Sequence, residues 1–222
     1  MTSTLNINFA VSTVHMDQGT GSQELVLYFD EIISSAGVYN ANLCIELHQG
    51  KGIFIGRKIL SNSNIFPNYI PALQISSSTY TPLLMPSGYM KINEIISKGG
   101  IAMVLNDFTE QITIDSNYIE CNGGAVISSN FTAVNYLLKN ASIRNLDTSS
   151  GSKGVALDGN TAILAFNNIK IIAGGNLINL VSGTVSIKNY GLIGNKNIDN
   201  NHITLEIGDF NNFVFIYSND LT

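Results

Sequence analysis

The chain has 222 residues, an apolar fraction of 45 %, a charged fraction of 12 % and a formal net charge of −5. Such a composition folds, and two arginines (Arg57, Arg144) with scattered lysines argue against nucleic-acid binding, which needs clustered cations. An ordinary globular domain carries about 25 % charge; here Asn, Ser and Thr supply the polar surface, which is weakly self-repelling and readily buried against another copy.

The first sixty residues read as strands separated by turns. Leu5, Ile7, Phe9 and Val11 alternate with polar residues, the period of a half-buried strand. After the turn cluster at Asp17, Glu24 to Phe29 (ELVLYF) is continuously apolar, so both of its faces are expected to be covered. Asn42 to His48 alternates again, and Gln49-Gly-Lys-Gly suggests a hairpin into Ile53-Phe-Ile, an antiparallel pair. Residues 1–60 therefore read as a small β-sandwich-like base. Residues 61–100 contain all four prolines (Pro67, Pro71, Pro82, Pro86), which disfavour central strands and helix interiors. They read as an extended arm anchored by Tyr69, Ile70 and Leu73, reaching a neighbouring subunit or packing on its own domain. At the end of this arm Lys91 to Lys98, with Ile92, Ile95 and Ile96 on one side and Gly99-Gly100 behind, is the best short-helix candidate.

From residue 101 to 222 short β-rich cores recur, each closed by Asn, Gly or Asp. Ile169-Lys-Ile, Val185-Ser-Ile and Ile203-Thr-Leu follow one another at about one solenoid turn. Ile112-Thr-Ile and Ala141-Ser-Ile are more widely spaced and require an inserted loop, such as Asp147 to Gly154. Asn suits the corners, because it tolerates the left-handed conformation and its amide stacks in ladders. Phe131 to Leu138 has helical spacing that competes with a strand. Phe213 to Tyr217 is a final strand, apolar on both faces, whose open edge invites burial against a partner.

Residues capable of chemistry are sparse. Carboxylates of the kind that cleave polysaccharides are Asp115 with Glu120, Asp147, Asp158, Asp199, Glu206 and Asp209, none at matching positions of successive turns. Asp in such settings usually serves its own turn. Arg144 is the one basic residue beside an acidic one there. His15, His48 and His202 are dispersed, no Ser-His-Asp set has local support, and two cysteines with three histidines give no metal motif. Cys44 and Cys121 read as small buried strand residues rather than a disulfide. Gly123-Gly124, Gly174-Gly175 and Gly191-Leu-Ile-Gly are turn glycines rather than a phosphate loop. The sequons at Asn130 and Asn140 have meaning only on a secretory route. The start MTSTLNINFAVSTV has no signal-peptide pattern, and no apolar run approaches a membrane span. No catalytic, cofactor-binding or metal residue is assigned, and no cofactor is expected.

The cores YLLKNASIRNLD, FNNIKIIAGG and VSIKNYGLIGN resemble the rungs of parallel β-helix proteins, especially bacteriophage tailspikes and fibres. The resemblance implies a trimeric, particle-attached fibre or spike with an N-terminal base. The expected fold is all-β: the base, then a short parallel β-helix. The expected function is a non-enzymatic structural protein of a virus particle, made without a signal peptide. Its expected partners are further copies of itself, other virion proteins and a host-surface glycan, with no nucleic acid and no membrane insertion. A carbohydrate-binding adhesin and a polysaccharide-degrading enzyme are the alternatives.

Overall fold

Alternating apolar residues bounded by Gly, Asn and Ser shape the whole described chain into strands. The computed structural model describes residues 14–16, 24–34, 44–48, 50–62, 71–76, 86–106, 110–129, 133–147, 149, 152–157, 161–180, 184–199, 203–206 and 216–218. For 14–16, 133–134, 157, 161–168, 170 and everything after 173, it describes the backbone alone. The strands are β1 (Val14–Met16), β2 (Glu24–Ser34), β3 (Ile45–Leu47), β4 (Lys51–Ser61), β5 (Leu73–Ser76) and β6 (Ser87–Ser97). Then come β7 (Met103–Asn106), β8 (Ile112–Asp115), β9 (Tyr118–Cys121), β10 (Ala125–Ser129), β11 (Ala133–Lys139) and β12 (Ser142–Asn145). The series ends with β13 (Lys153–Leu157), β14 (Thr161–Leu180), β15 (Thr184–Asp199), β16 (Ile203–Glu206) and β17 (Ile216–Ser218). No helix occurs among the described residues.

Among the described residues every pairing is parallel, and the pairings sort into three columns, the faces of a parallel β-helix. The first column stacks β1, β3, β5, β7, β10, β13 and the ends of β14 and β15. The second stacks the first parts of β2, β4 and β6, then β8, β11, the start of β14, the start of β15 and β16. The third stacks the second parts of β2, β4 and β6, then β9, β12, the middle of β14, the middle of β15 and β17.

Each column lays like residue on like about 4.8 Å apart. Inside the first column Ile45, Leu73, Met103, Ile127 and Val155 form one buried row. Inside the second, Phe54, Met90, Ile114 and Leu138 form another. The third contributes Ile32, Ile59, Ile95, Ile119, Ile143 and Ile171. One interior row is polar: Ser34, Ser61 and Ser97 stack, and Cys121 and Asn145 continue the column. Asn145 serves backbone that the turn leaves unpaired. Its Nδ2 donates to the carbonyls of Gly123 (2.9 Å), Gly124 (3.1 Å) and Lys153 (3.0 Å), while its Oδ1 accepts from the N–H groups of Gly123 (3.2 Å) and Asp147 (3.1 Å).

The corner between the second and third columns lies within single strands. In β2 the inward positions are Leu25, Leu27 and Phe29, then Ile32 and Ser34, so the alternation changes phase at Asp30. The same change falls at Arg57 in β4 and Asn93 in β6, which the pairing skips. An extra residue of this kind bends a strand. Later coils replace it with a break at which Asn117 and Asn140 are exposed, Asn140 in the left-handed region at φ 60°. Corner Asn is what the sequence predicts.

Several expectations need correction. Gln49 to Gly52 makes no hairpin: β3 and β4 lie in different columns and pair in parallel with other coils. The parallel coil is thus already present within residues 1–60, where the sequence suggests a sandwich-like base. Within residues 61–100, read as an arm, β5 and β6 are full rungs; Pro71 lies just before β5 and Pro86 abuts β6, where a missing N–H is tolerated. Pro67, Pro82, Tyr69 and Ile70 lie outside the described residues, whereas Leu73 is core. Lys91 to Lys98 falls almost wholly in β6 and is no helix, because Ile92 and Ile95 fill interior rows on either side of the corner phase change. Most of Phe131 to Leu138 is strand β11. Val185 does stack on Ile203, but it stacks on Leu164 and not on Ile169, which belongs to the third column. Of Phe213 to Tyr217, only Ile216 and Tyr217 are described, both in β17.

At Gly88, φ is +140° and a Cβ would run into the Gly52 carbonyl of the preceding coil. The Gly88→Ala variant is therefore expected to lose about 2–4 kcal/mol of stability, measured by urea denaturation against the parent chain.

Candidate functional site

With the interior filled by rows, the chemistry of this molecule resides on its outer faces. Outward positions of β2 and β4 are apolar as often as polar. On the second column Val26, Ile53 and Tyr89 form one outer row, and Tyr28 and Ile55 begin the next. Tyr28 is 72 % exposed and Val26 43 %. Around the corner Ile33, Leu60 and Ile96 form a half-buried outer row on the third column.

Charged residues sit beside these rows with alternating sign. Glu31, Lys58 and Glu94 stack in register, with Lys58 Nζ 3.4 Å from Glu94. Lys91, Asp115 and Lys139 stack likewise, and Glu24 pairs with Lys51 at 2.8 Å. At the corner Arg57 reaches Asp30 (2.9 Å) and Glu31 (2.6 Å). The Arg57 guanidinium holds the Asp30 carboxyl below its ordinary range, and the two carboxylates raise Arg57 in return. The groups are solvated, so these pairs set register more than stability.

Further along, the same two faces carry an aromatic and acidic ridge. Tyr118 and Glu120 point outward from β9, with the Tyr118 hydroxyl donating to Glu120, and Arg144 on β12 stacks in register with Glu120 and bonds Tyr118. Burial and the Glu120 carboxylate raise the Tyr118 hydroxyl, with Arg144 opposing. Across the corner Asp115 accepts from Asn140 Nδ2 at 3.0 Å and bonds Tyr89, whose hydroxyl is raised by burial and by Asp115. Asp115 and Glu120, paired as polysaccharide-cleaving candidates in the sequence, thus lie on different faces, each with its own tyrosine.

The remaining candidates separate. Asp147 caps its own turn, accepting from Ser149 N–H and Oγ at 2.9 Å. Asp199 in β15, Glu206 in β16 and His15 in β1 are described in backbone only, and Asp158, Asp209, His202 and Asn130 lie outside the described residues. Gly123 and Gly124 are turn glycines with positive φ. Gly174-Gly175 lies in β14 at the register shift where the strand passes from the third column to the first, whereas Gly191 and Gly194 are paired within the ladder of β15 and form no turn. His48 has neighbours that the sequence does not reveal: Glu46 at 2.7 Å and Ser76 at 3.0 Å. The signal available was only that Glu46 and His48 share a strand face; the 28 residues to Ser76 hide the rest.

Among the described residues, no group of three or more His, Cys, Asp or Glu is arranged to hold a metal ion, and no helix is long and apolar enough to cross a membrane. Cys44 and Cys121 are free and buried. Burial pushes both thiols up to about 12. No protein-family model matches the chain, nor does any curated protein or solved structure.

Because the thiolate is the reactive species, the native chain at pH 8 is expected to leave an aromatic disulfide reagent essentially uncoloured for minutes. In guanidinium chloride both cysteines should react at once.

Proposed function

We propose that the chain is a structural protein of a virus particle, a fibre or spike subunit of the bacteriophage kind that assembles as a homo-oligomer, a trimer being favoured. The observation that carries this reading is the apolar outer surface of the first coils. Val26, Tyr28, Ile53, Ile55, Ile33, Leu60 and Ile96 face away from a core already filled by other residues. Exposed apolar strips of this kind mark contact surfaces. The occupant that fits is another copy of the chain: the flanking rows carry both signs in alternation, as Glu31, Lys58 and Glu94 do, so one copy offers another complementary charge. The resemblance of the rungs to phage fibres and tailspikes supports the same reading. On this reading the protein belongs to a particle outside the cell, in contact with other virion proteins.

A second reading, glycan binding, rests on the ridge. Two tyrosines with carboxylates, an arginine and an exposed asparagine at adjacent corners offer stacking faces and fixed hydrogen-bonding groups. Contact with a host-surface glycan is compatible with a particle subunit.

Mass photometry of the intact chain is expected to show an oligomer. The double variant Tyr28→Glu and Ile55→Lys is expected to shift it at least tenfold toward monomer without lowering the β content by circular dichroism. A parent chain that stays monomeric at micromolar concentration would overturn the assembly reading. Glycan binding is checked on an array of bacterial surface polysaccharides: Tyr118→Ala should weaken any captured glycan about tenfold, the loss expected for one stacking ring.

A further inference from the structure

We propose that Glu46, His48, Gln74 and Ser76 form a serine nucleophile site on the outer face of the first column, which opens unhindered activated esters by acyl transfer. This activity departs from the non-enzymatic expectation and is independent of the assembly role.

The placement follows from register. Glu46 stacks on Gln74 in the pairing of β3 with β5. Two residues further along each chain, on the same face, stand His48 and Ser76. Four polar side chains from two adjacent coils therefore occupy the corners of one square. His48 Nε2 lies 2.7 Å from Glu46 Oε1. His48 Nδ1 lies 3.0 Å from Ser76 Oγ and 3.1 Å from the Ser76 carbonyl oxygen. Gln74 Nε2 approaches Glu46 Oε1 at 3.4 Å and Ser76 Oγ at 3.5 Å. The side chains of His48 and Glu46 are 19 % and 14 % exposed, accessible yet shielded from bulk water.

Each group has a role in acyl transfer. Glu46, a positioning residue, accepts a hydrogen bond from His48 Nε2–H and so fixes the tautomer that leaves the Nδ1 lone pair facing the serine hydroxyl. As Ser76 Oγ bonds to the ester carbonyl carbon, its proton passes to Nδ1. The resulting imidazolium has both N–H groups satisfied, Nε2–H by Glu46 and Nδ1–H by the Ser76 carbonyl. The Gln74 amide beside Oγ donates to the oxyanion that develops on the former carbonyl oxygen. Collapse breaks the bond to the leaving alkoxide, which departs with the Nδ1 proton. Water, deprotonated by the same nitrogen, then hydrolyses the acyl-serine, releasing the acid and restoring Ser76. No oxidant, metal or further reactant enters the balance.

The test is labelling of the intact native chain with a fluorophosphonate, read by intact mass and peptide mapping, with p-nitrophenyl acetate hydrolysis in parallel. One adduct on Ser76 is expected, absent in Ser76→Ala. His48→Gln should slow labelling at least about 100-fold, the lower range for a general base, and Glu46→Gln should slow it to a lesser degree. Thermal melts of all three variants should match the parent, and Glu46→Gln, which keeps the side-chain shape, covers the case in which His48→Gln unfolds. No adduct on the native chain, or an adduct whose rate His48→Gln and Glu46→Gln both leave unchanged, would overturn the proposal.

Discussion

Parallel stacking in register is the constraint on which the rest depends. Once one coil sets which residues face inward, the next must present compatible residues at the same positions, because a slip of one would turn the whole core outward. The interior rows meet this requirement with isoleucine on isoleucine in the third column and mixed large side chains in the second. Charge enforces it outside. A Glu-Lys-Glu row and a Lys-Asp-Lys row are each favourable in one register and repulsive in others. A chain with little charge thus uses much of it to index its coils.

The polar interior row follows from the same constraint. At the end of the third column the chain must leave one face for the next; in the early coils backbone bonds still cross there, from Asn62 N–H to the Ser34 carbonyl and from Lys98 N–H to the Ser61 carbonyl. Serine fits in the early coils; where the turn tightens at Gly123 and Gly124, Asn145 supplies the missing donors and acceptors. The closeness of Gly88 to Gly52 is another local solution, two backbones approaching where side chains would not fit.

The all-β class, the helix of parallel rungs and the asparagine corners were legible in the sequence because they depend on local alternation and turn chemistry. The coil in the first hundred residues was not. There the coil length changes from 27 residues between Glu24 and Lys51 to 36 between Lys51 and Ser87, so no period repeats for a reader to detect. Later, Val185 to Ile203 takes 18, and the repeat becomes visible, although its phase is easily assigned to the wrong face, as with Ile169. β6 shows why Lys91 to Lys98 imitates a helix: the phase change at Asn93 puts Ile92 and Ile95 three apart and both inward. Of the candidate sites, the tyrosine and carboxylate neighbours were partly readable within single strands, as Tyr118 and Glu120 are. The meeting of His48 with Ser76 depends on which coil lies above which, and composition carries no trace of that.

Variable coil length with constant register has a consequence for how such a chain can change over generations. Residues added between rungs lie outside the ladders and leave every row where it was, whereas a single residue added within a rung disturbs all coils beyond it. Insertions and deletions should therefore accumulate at a few fixed junctions around the helix. A lineage of these proteins would diversify its surface by exchanging loops at those junctions, keeping the ladder as an inherited ruler.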